Sequence, residues 1–408
     1  MREVADEFDI ATAPTAVPPR CEMKVPKELA FSKEEYKLRI GKVRESLERG
    51  DFDGILLLAP HSVYYLTGMD SEDFWDFQCL VMTRDGRLRF VTRSLELGRF
   101  LNSSWLEDVA TYTLFDDPYD AVASVSVQLG VDKGRLALEI SDGFLNPQVY
   151  AQLRSKLPLA RIEDSRGLVE CIRLVKSEAE LNYMRQAAAL TDLGVRAAYE
   201  TIRPGVRDCE VAAQIMRAMY MEGSDTVCWG PIVAAGYRAG LAHSTFCGYR
   251  IKNDDTVLME FTGERRRYVA PLMRTVILNK PRGVLLDVAR AASAAIEAIL
   301  DVAKPGVPAS QVAKAGASEI SPVRENVVFH DDYGYPVGIG YPPSWPENLG
   351  FYIRSNNDRP LEKGMVFHLP MSLRKLGEWG IGLSETIVIT EGAAQVLSNT
   401  AHEMKVIS

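Results

Sequence analysis

Short apolar runs alternate with helical periodicity through the first third of the chain. GILLLAP (54–60), FQCLVMTR (77–84), LRFVTR (88–93) and RLALEI (135–140) each have the length of a strand. Around them, 32–49, 95–101 and 148–157 carry helical patterns, the first opened by a capping box of Ser32 with Glu35. Strands interleaved with helices predict an α/β domain over 31–168. Ahead of it, Pro14, Pro18, Pro19 and Pro26 punctuate residues 1–30, which read as an extended arm.

A second capping box, Ser177 with Glu180, opens the long helical stretch ELNYMRQAAALTDLGVRAAYETI. The preceding segment, 164–176, is the natural domain boundary, which leaves 169–408 as the second domain. That domain contains an echo. RPGVRDCEVAAQIMRA starts at Arg203, and KPGVPASQVAKAGASE starts about one hundred residues later at Lys304. Each follows a long helix and precedes strand segments, which predicts two similar halves facing a cleft. Between the echoes, VLMEFTGERRRYVAPLMRTV (257–276) reads as two strands, with Glu260 in the first and Pro271 in the second. Leu258 and Phe261 leave the face taken by Glu260 open.

Composition narrows the classes. Hydrophobic content of 47% and charged content of 25% are those of a globular chain. A net charge of −8 argues against a nucleic-acid partner, which needs a basic face. No apolar run approaches the roughly 18 residues of a membrane span, and the acidic start MREVADEFD is unlike a signal peptide. The six cysteines are scattered, without a CxxC pair, and read as reduced thiols. A cytoplasmic protein is expected.

In order and spacing, KSEAELNYMRQAAALTD, RPGVRDCEVA, AHSTF around His243, the hairpin ending in MRTV, KGMVF and LSETIVIT resemble the creatinase/aminopeptidase P family. The resemblance runs from Ser32 to the C-terminus. It implies the pita-bread fold: an α/β N-terminal domain followed by an α+β catalytic domain with duplicated halves. Metal-dependent members hold two ions with two Asp, one His and two Glu. Here the first four of those positions carry Glu260, Pro271, Val337 and Pro370, and Glu385 is read as the one Glu retained. Two carboxylates cannot supply a dinuclear centre, so no metal or other cofactor is expected.

The closer resemblance is to the metal-free ectoine hydrolases, through the Pro-Leu-x-Arg-Thr end of the hairpin, GYPVGIGYPPSWPE (334–347), GMVFHL and TGMDSEDFWDFQC (67–79). It implies a metal-independent hydrolase opening a C–N bond of a small cationic amidine-type amino-acid derivative. Glu260 is then the nucleophile or base, His243 the general acid/base, and Glu385 the anion on the amidine N–H edge. Phe74, Trp75, Glu72, His368, Arg354 and Tyr341 are the candidate substrate-binding residues. Read without the resemblance, Phe74 and Trp75 are equally a loop anchor, and His368 equally a strand residue paired with backbone. His61 and His330 have no supporting constellation.

Family members are homodimers that lend a loop to the neighbour's site, and 67–79 is the segment expected to do so here. The chain departs from the ectoine hydrolase pattern at Glu72, which replaces a Trp, and at Val269, which replaces a His. Two further readings stay open: an amidinohydrolase acting on a guanidino acid, and a non-catalytic binding protein.

Overall fold

In the computed structural model, residues 24–140, 144–279, 281, 283–347 and 350–407 are described. Most of the expected arm, 1–23, lies outside them. Its described end follows α3 of the first domain: Glu28 N–H donates to Asn102 O at 2.8 Å, and Lys27 Nζ to Ser104 O at 2.6 Å.

The first domain runs α1 (Lys33–Gly50), β1 (Gly54–Leu57), α2 (Pro60–Thr67), β2 (Cys79–Thr83), β3 (Leu88–Arg93), α3 (Leu97–Ser103), β4 (Val109–Tyr112), α4 (Pro118–Leu129), β5 (Arg135–Leu138), α5 (Pro147–Lys156), β6 (Arg161–Asp164) and α6 (Leu168–Leu174). Its six strands form one mixed sheet in the order β4-β3-β2-β1-β5-β6. Alternation divides the strands between two cores. Ile55, Leu57, Leu80 and Met82 pack with α1 and α2, while Leu56, Val81, Leu136 and Leu138 pack with α4 and α5.

The second domain opens with the helix pair α7 (Glu178–Thr201) and α8 (Asp208–Met221). It continues through β7 (Ile232–Ala235), β8 (Thr256–Phe261), β9 (Glu264–Arg265), β10 (Tyr268–Val269) and β11 (Leu272–Leu278). A second helix pair, α9 (Leu285–Val302) and α10 (Ala309–Ile320), precedes β12 (Tyr335–Tyr341), β13 (Ser344–Pro346), β14 (Val366–Lys375), β15 (Trp379–Val388), β16 (Gln395–Val396) and β17 (Lys405–Ile407). One sheet is ordered β17-β11-β8-β7, and the other β16-β15-β14-β12-β10-β9 with β13 paired to β12. They meet at β11 and β15, where Thr275 Oγ1 donates to Gly382 O at 3.0 Å and accepts from Gly382 N–H at 2.8 Å.

The internal echo is structural. Both Pro-Gly turns place glycine in the left-handed region, Gly205 at φ 90° and Gly306 at φ 84°. Both also pin the turn to a later strand segment in the same way. Gly205 N–H donates to Ile251 O and Gly306 N–H to Leu361 O, each at 2.8 Å. The duplicated halves expected from sequence are therefore present.

Helix starts follow the capping chemistry, with one difference. Ser177 and Glu180 form a full box on α7. On α1, Ser32 accepts from Glu35 N–H at 3.2 Å, but the Glu35 carboxylate turns away to Arg39 Nε at 3.1 Å and Ser177 Oγ at 2.8 Å. The buried Arg39 guanidinium needs that anion more than the helix terminus does.

Between the domains sits a buried ion triad. Arg173 Nη2 reaches Glu347 Oε1 at 2.6 Å, and Lys176 Nζ reaches Oε2 at 2.8 Å. Burial alone would push the Glu347 carboxyl up, but Lys176 and Arg173 outweigh it and hold it at about 2. That contribution to stability is complete above the unfolded value near pH 4.3 and fades as pH falls toward 2. Glu347→Ala strands two buried cations and should cost about 3–5 kcal/mol, read as a lower denaturant midpoint at pH 7. An unchanged midpoint would show that the triad contributes nothing.

Candidate active site between the two halves

Strand alternation decides which side chains reach the cleft. On β14, Phe367, Leu369, Met371 and Leu373 pack under α9 and α10, so His368, Pro370, Ser372 and Arg374 take the opposite, inner face. On β15, Ile381, Leu383 and Ile387 share that helical core, which leaves Gly382 and Ser384 inward. On β8, Val257, Met259 and Phe261 pack with α7 and α8, and Glu260 therefore points inward. The face that sequence left open is settled by these cores.

A hydrogen-bonded row crosses the inner face. Trp345 Nε1–H donates to Tyr335 Oη at 3.0 Å, and that hydroxyl meets His368 Nδ1 at 2.6 Å. His368 Nε2 meets Ser384 Oγ at 2.6 Å, which also accepts from Met273 N–H at 2.5 Å. Burial, with Arg274 assisting, pushes His368 down to about 3, so its imidazole is neutral. Tyr335 already accepts from Trp345; its own hydrogen goes to Nδ1, and Nε2–H goes to Ser384. The Ser384 hydroxyl hydrogen is left free to donate. His368 is thus paired with side chains rather than backbone.

Glu260 stands apart from this row. Its side chain makes no hydrogen bond to any described residue, and burial raises it to about 7, with Arg374 pulling the other way. A carboxyl poised near neutrality suits proton transfer. Arg374, also on the inner face, is 7% exposed, and its Nε has no partner. Sequence reasoning passed over this arginine, because at the end of the run SLRK it reads as a strand-terminal charge.

Other expectations are corrected. Glu385 does not share the inner face with Glu260. It lies on the opposite side of β15, where Arg274 Nη2 holds it at 2.6 Å and His402 Nδ1 approaches to 3.4 Å. The residue directly across from Pro370 is Ser384. Assigning the retained position to Glu385 was one residue out of register, and one residue flips the face. Arg354 is spent on Asp332, at 2.8 Å, and lies half exposed against Tyr352. Glu72 is answered by Arg267, at 2.6 Å, so it adds no free acid to the cleft.

Phe74, Trp75 and Tyr341 come together, but elsewhere. Tyr341 ends β12 six residues from Tyr335, roughly 20 Å away at about 3.3 Å per residue. It packs against Phe74 and His61 at ring separations of 5.8 Å and 5.1 Å. These residues line a cavity of about 460 Å³ at the domain junction, on the far side of the β12–β13 hairpin from Trp345. His61, unassigned from sequence, belongs to this second cavity. His243 is exposed on the rim of the first cleft, its ring 5.9 Å from Trp229, which in turn packs at a tilt of 36° against Trp345 at 4.8 Å.

Pro271 falls between β10 and β11, where no ladder N–H is required, and Pro370 lies past the last pairing of β14 with β12. With Val337, these positions carry no ligand atom. Among the described residues no group of three or more His, Cys, Asp or Glu stands close enough to hold a metal ion, so these residues do not fit a dinuclear centre. No described helix is long and apolar enough to cross a membrane.

A duplicated pita-bread domain behind a creatinase-type N-terminal domain defines a class of hydrolases. The chain belongs to metallopeptidase family M24, whose model matches residues 182–391, and the creatinase/prolidase N-terminal domain matches 39–175. It is 30% identical over 394 residues to the uncharacterized hydrolase/peptidase y4tM of Sinorhizobium fredii, covering 93% of this chain and 99% of that one. It is 28% identical over 407 residues to the ectoine hydrolase of Halomonas elongata, covering 92% and 98%. Among solved structures, a dipeptidase of Pyrococcus horikoshii superposes with a TM-score of 0.79 at 22% identity, over 90% of this chain and 100% of that one.

The raised Glu260 carboxyl has a stability consequence. Its proton is bound more tightly folded than unfolded, so its contribution is complete below about pH 4.3 and is lost as pH rises through 7. Glu260→Gln should therefore be more stable than the parent at pH 8, by on the order of 3 kcal/mol, and indistinguishable from it at pH 4. Parallel pH profiles for the two proteins would contradict the placement of Glu260 in a dry site.

Proposed function

We propose that the protein is a metal-independent hydrolase that opens a C–N bond of a small cationic amidine-type amino-acid derivative. One observation carries the reading: the inner face offers a lone carboxyl near neutrality beside a neutral hydrogen-bonding row, and no described group of three or more His, Cys, Asp or Glu that could hold a metal ion. A delocalised planar cation is drawn to such a carboxylate, and an ion pair with its N–H groups is favourable. The similarity to an ectoine hydrolase supports the same class of substrate.

Because Glu385 is committed to Arg274, Glu260 takes the anionic role alone. Glu260 accepts a proton from water as the water oxygen bonds to the amidine carbon. The Ser384 hydroxyl donates to the tetrahedral centre. The C–N bond then breaks, and the departing nitrogen receives a proton from Glu260 or from His243 at the rim. A ring yields one product heavier by one water; an open-chain substrate yields two products whose masses together equal substrate plus water. In a homodimer, the 79% exposed Trp75 would be the residue presented to the neighbour.

The test is turnover of chelator-treated protein on ectoine, creatine and a panel of amidines and guanidino acids, followed by mass spectrometry. Hydrolysis without metal is expected, seen as one species heavier by a water from a ring or as two fragments from an open-chain compound. Activity that appears only when Mn²⁺ or Zn²⁺ is restored would replace this reading with the peptidase chemistry of the family. His243→Ala, with its exposed side chain, should fold with an unchanged midpoint and lose about 10²–10⁴-fold in turnover. Full activity of that variant would remove His243 from the mechanism.

A further inference from the structure

Arg374 presents a physical problem. A guanidinium is always charged, and a buried one without a partner costs several kcal/mol unless something meets it. Arg374 is 7% exposed and donates no side-chain hydrogen bond to any described residue. Every other guanidinium buried to a comparable degree among the described residues is engaged: Arg39 by Glu35, Arg173 by Glu347, Arg267 by Asp70, and Arg274 by Glu385. Beside Arg374 on the same face, the Ser372 hydroxyl is also buried and unpartnered. Glu260 is near enough for the two charges to feel one another, yet the two side chains form no ion pair. Two opposite charges, both buried on the inner face and left unjoined, define a site that a third body completes.

We propose that Arg374, with Ser372 beside it, is the subsite for a carboxylate, and that the cleft takes a zwitterion with its cationic end at Glu260 and its anionic end at Arg374. This rests on the proposed function in placing the cationic group at Glu260, and adds which side chains receive the carboxylate of the amino-acid derivative. Arg suits the task because its planar fork matches the two carboxylate oxygens. Lysine at the same place would present a point charge and bind less well.

Binding, rather than turnover, tests the assignment. Guanidinoacetate carries both charges; methylguanidine and acetate each carry one. By calorimetry at pH 8, the full-length protein is expected to bind guanidinoacetate at least tenfold more tightly than either single-charge probe. Arg374→Met should lose that advantage and bind guanidinoacetate no better than methylguanidine, while Arg374→Lys recovers part of it. The Met variant should also melt at a higher temperature than the parent without ligand, because an uncompensated buried charge has been removed. A purely structural arginine predicts the reverse.

Equal affinity of the parent for guanidinoacetate and methylguanidine overturns the proposal. So does a tenfold preference that survives Arg374→Met, or the absence of binding by all three probes. Zwitterion selectivity without turnover on any substrate leaves the carboxylate subsite standing and overturns the hydrolase reading alone.

Discussion

Glu347 is the charge on which the geometry of the cleft depends. It follows β13 directly, and its own N–H donates to Pro336 O at 3.0 Å, so it is fastened to the β12–β13 hairpin at both backbone and side chain. Arg173 and Lys176, from the junction ahead of α7, hold its carboxylate where almost no water reaches. Gly338 leaves the room for this: a Cβ there would come within 2.5 Å of Glu347 Oε2. With the hairpin fixed, Trp345 can reach Tyr335, Tyr335 can reach His368, and His368 can reach Ser384. A reactive row on one domain is thus held in register by a salt bridge at the seam with the other.

Two kinds of signal made the architecture readable in advance. Capping chemistry marked α1 and α7 because side chains that satisfy helix termini are short-range and specific. The repeated Pro-Gly-Val turns marked the duplication because both need glycine at positive φ. Elements lacking such punctuation were passed over, among them α2, whose Pro60–Thr67 helix follows an apolar strand without any polar cap.

The site was less readable for a different reason. Whether a strand residue faces a cleft or a helical core depends on register: Glu260 is flanked by apolar Met259 and Phe261, and Glu385 by polar Ser384 and Thr386, so neither run alternates in a way that names its face. Only the packing of Met259 and Phe261 under α7 and α8 turned Glu260 inward, and only that of Leu383 and Ile387 under α9 turned Glu385 outward. Aromatic residues brought together from distant segments, as Phe74, His61 and Tyr341 are, leave no mark in sequence. Arg374 was invisible for the opposite reason: its sequence context is ordinary, and what distinguishes it is a missing partner.

The repeated halves of the second domain have a pseudo-symmetric backbone, and a pocket formed between equal halves would have no preferred direction. Here the first half contributes a carboxyl from β8, Glu260, and the second a guanidinium from β14, Arg374. The near-symmetry of the halves is therefore broken in charge while it holds in shape. A guest between them encounters an electric polarity, and one orientation of a polar molecule is favoured over its reverse before any atom of it is contacted.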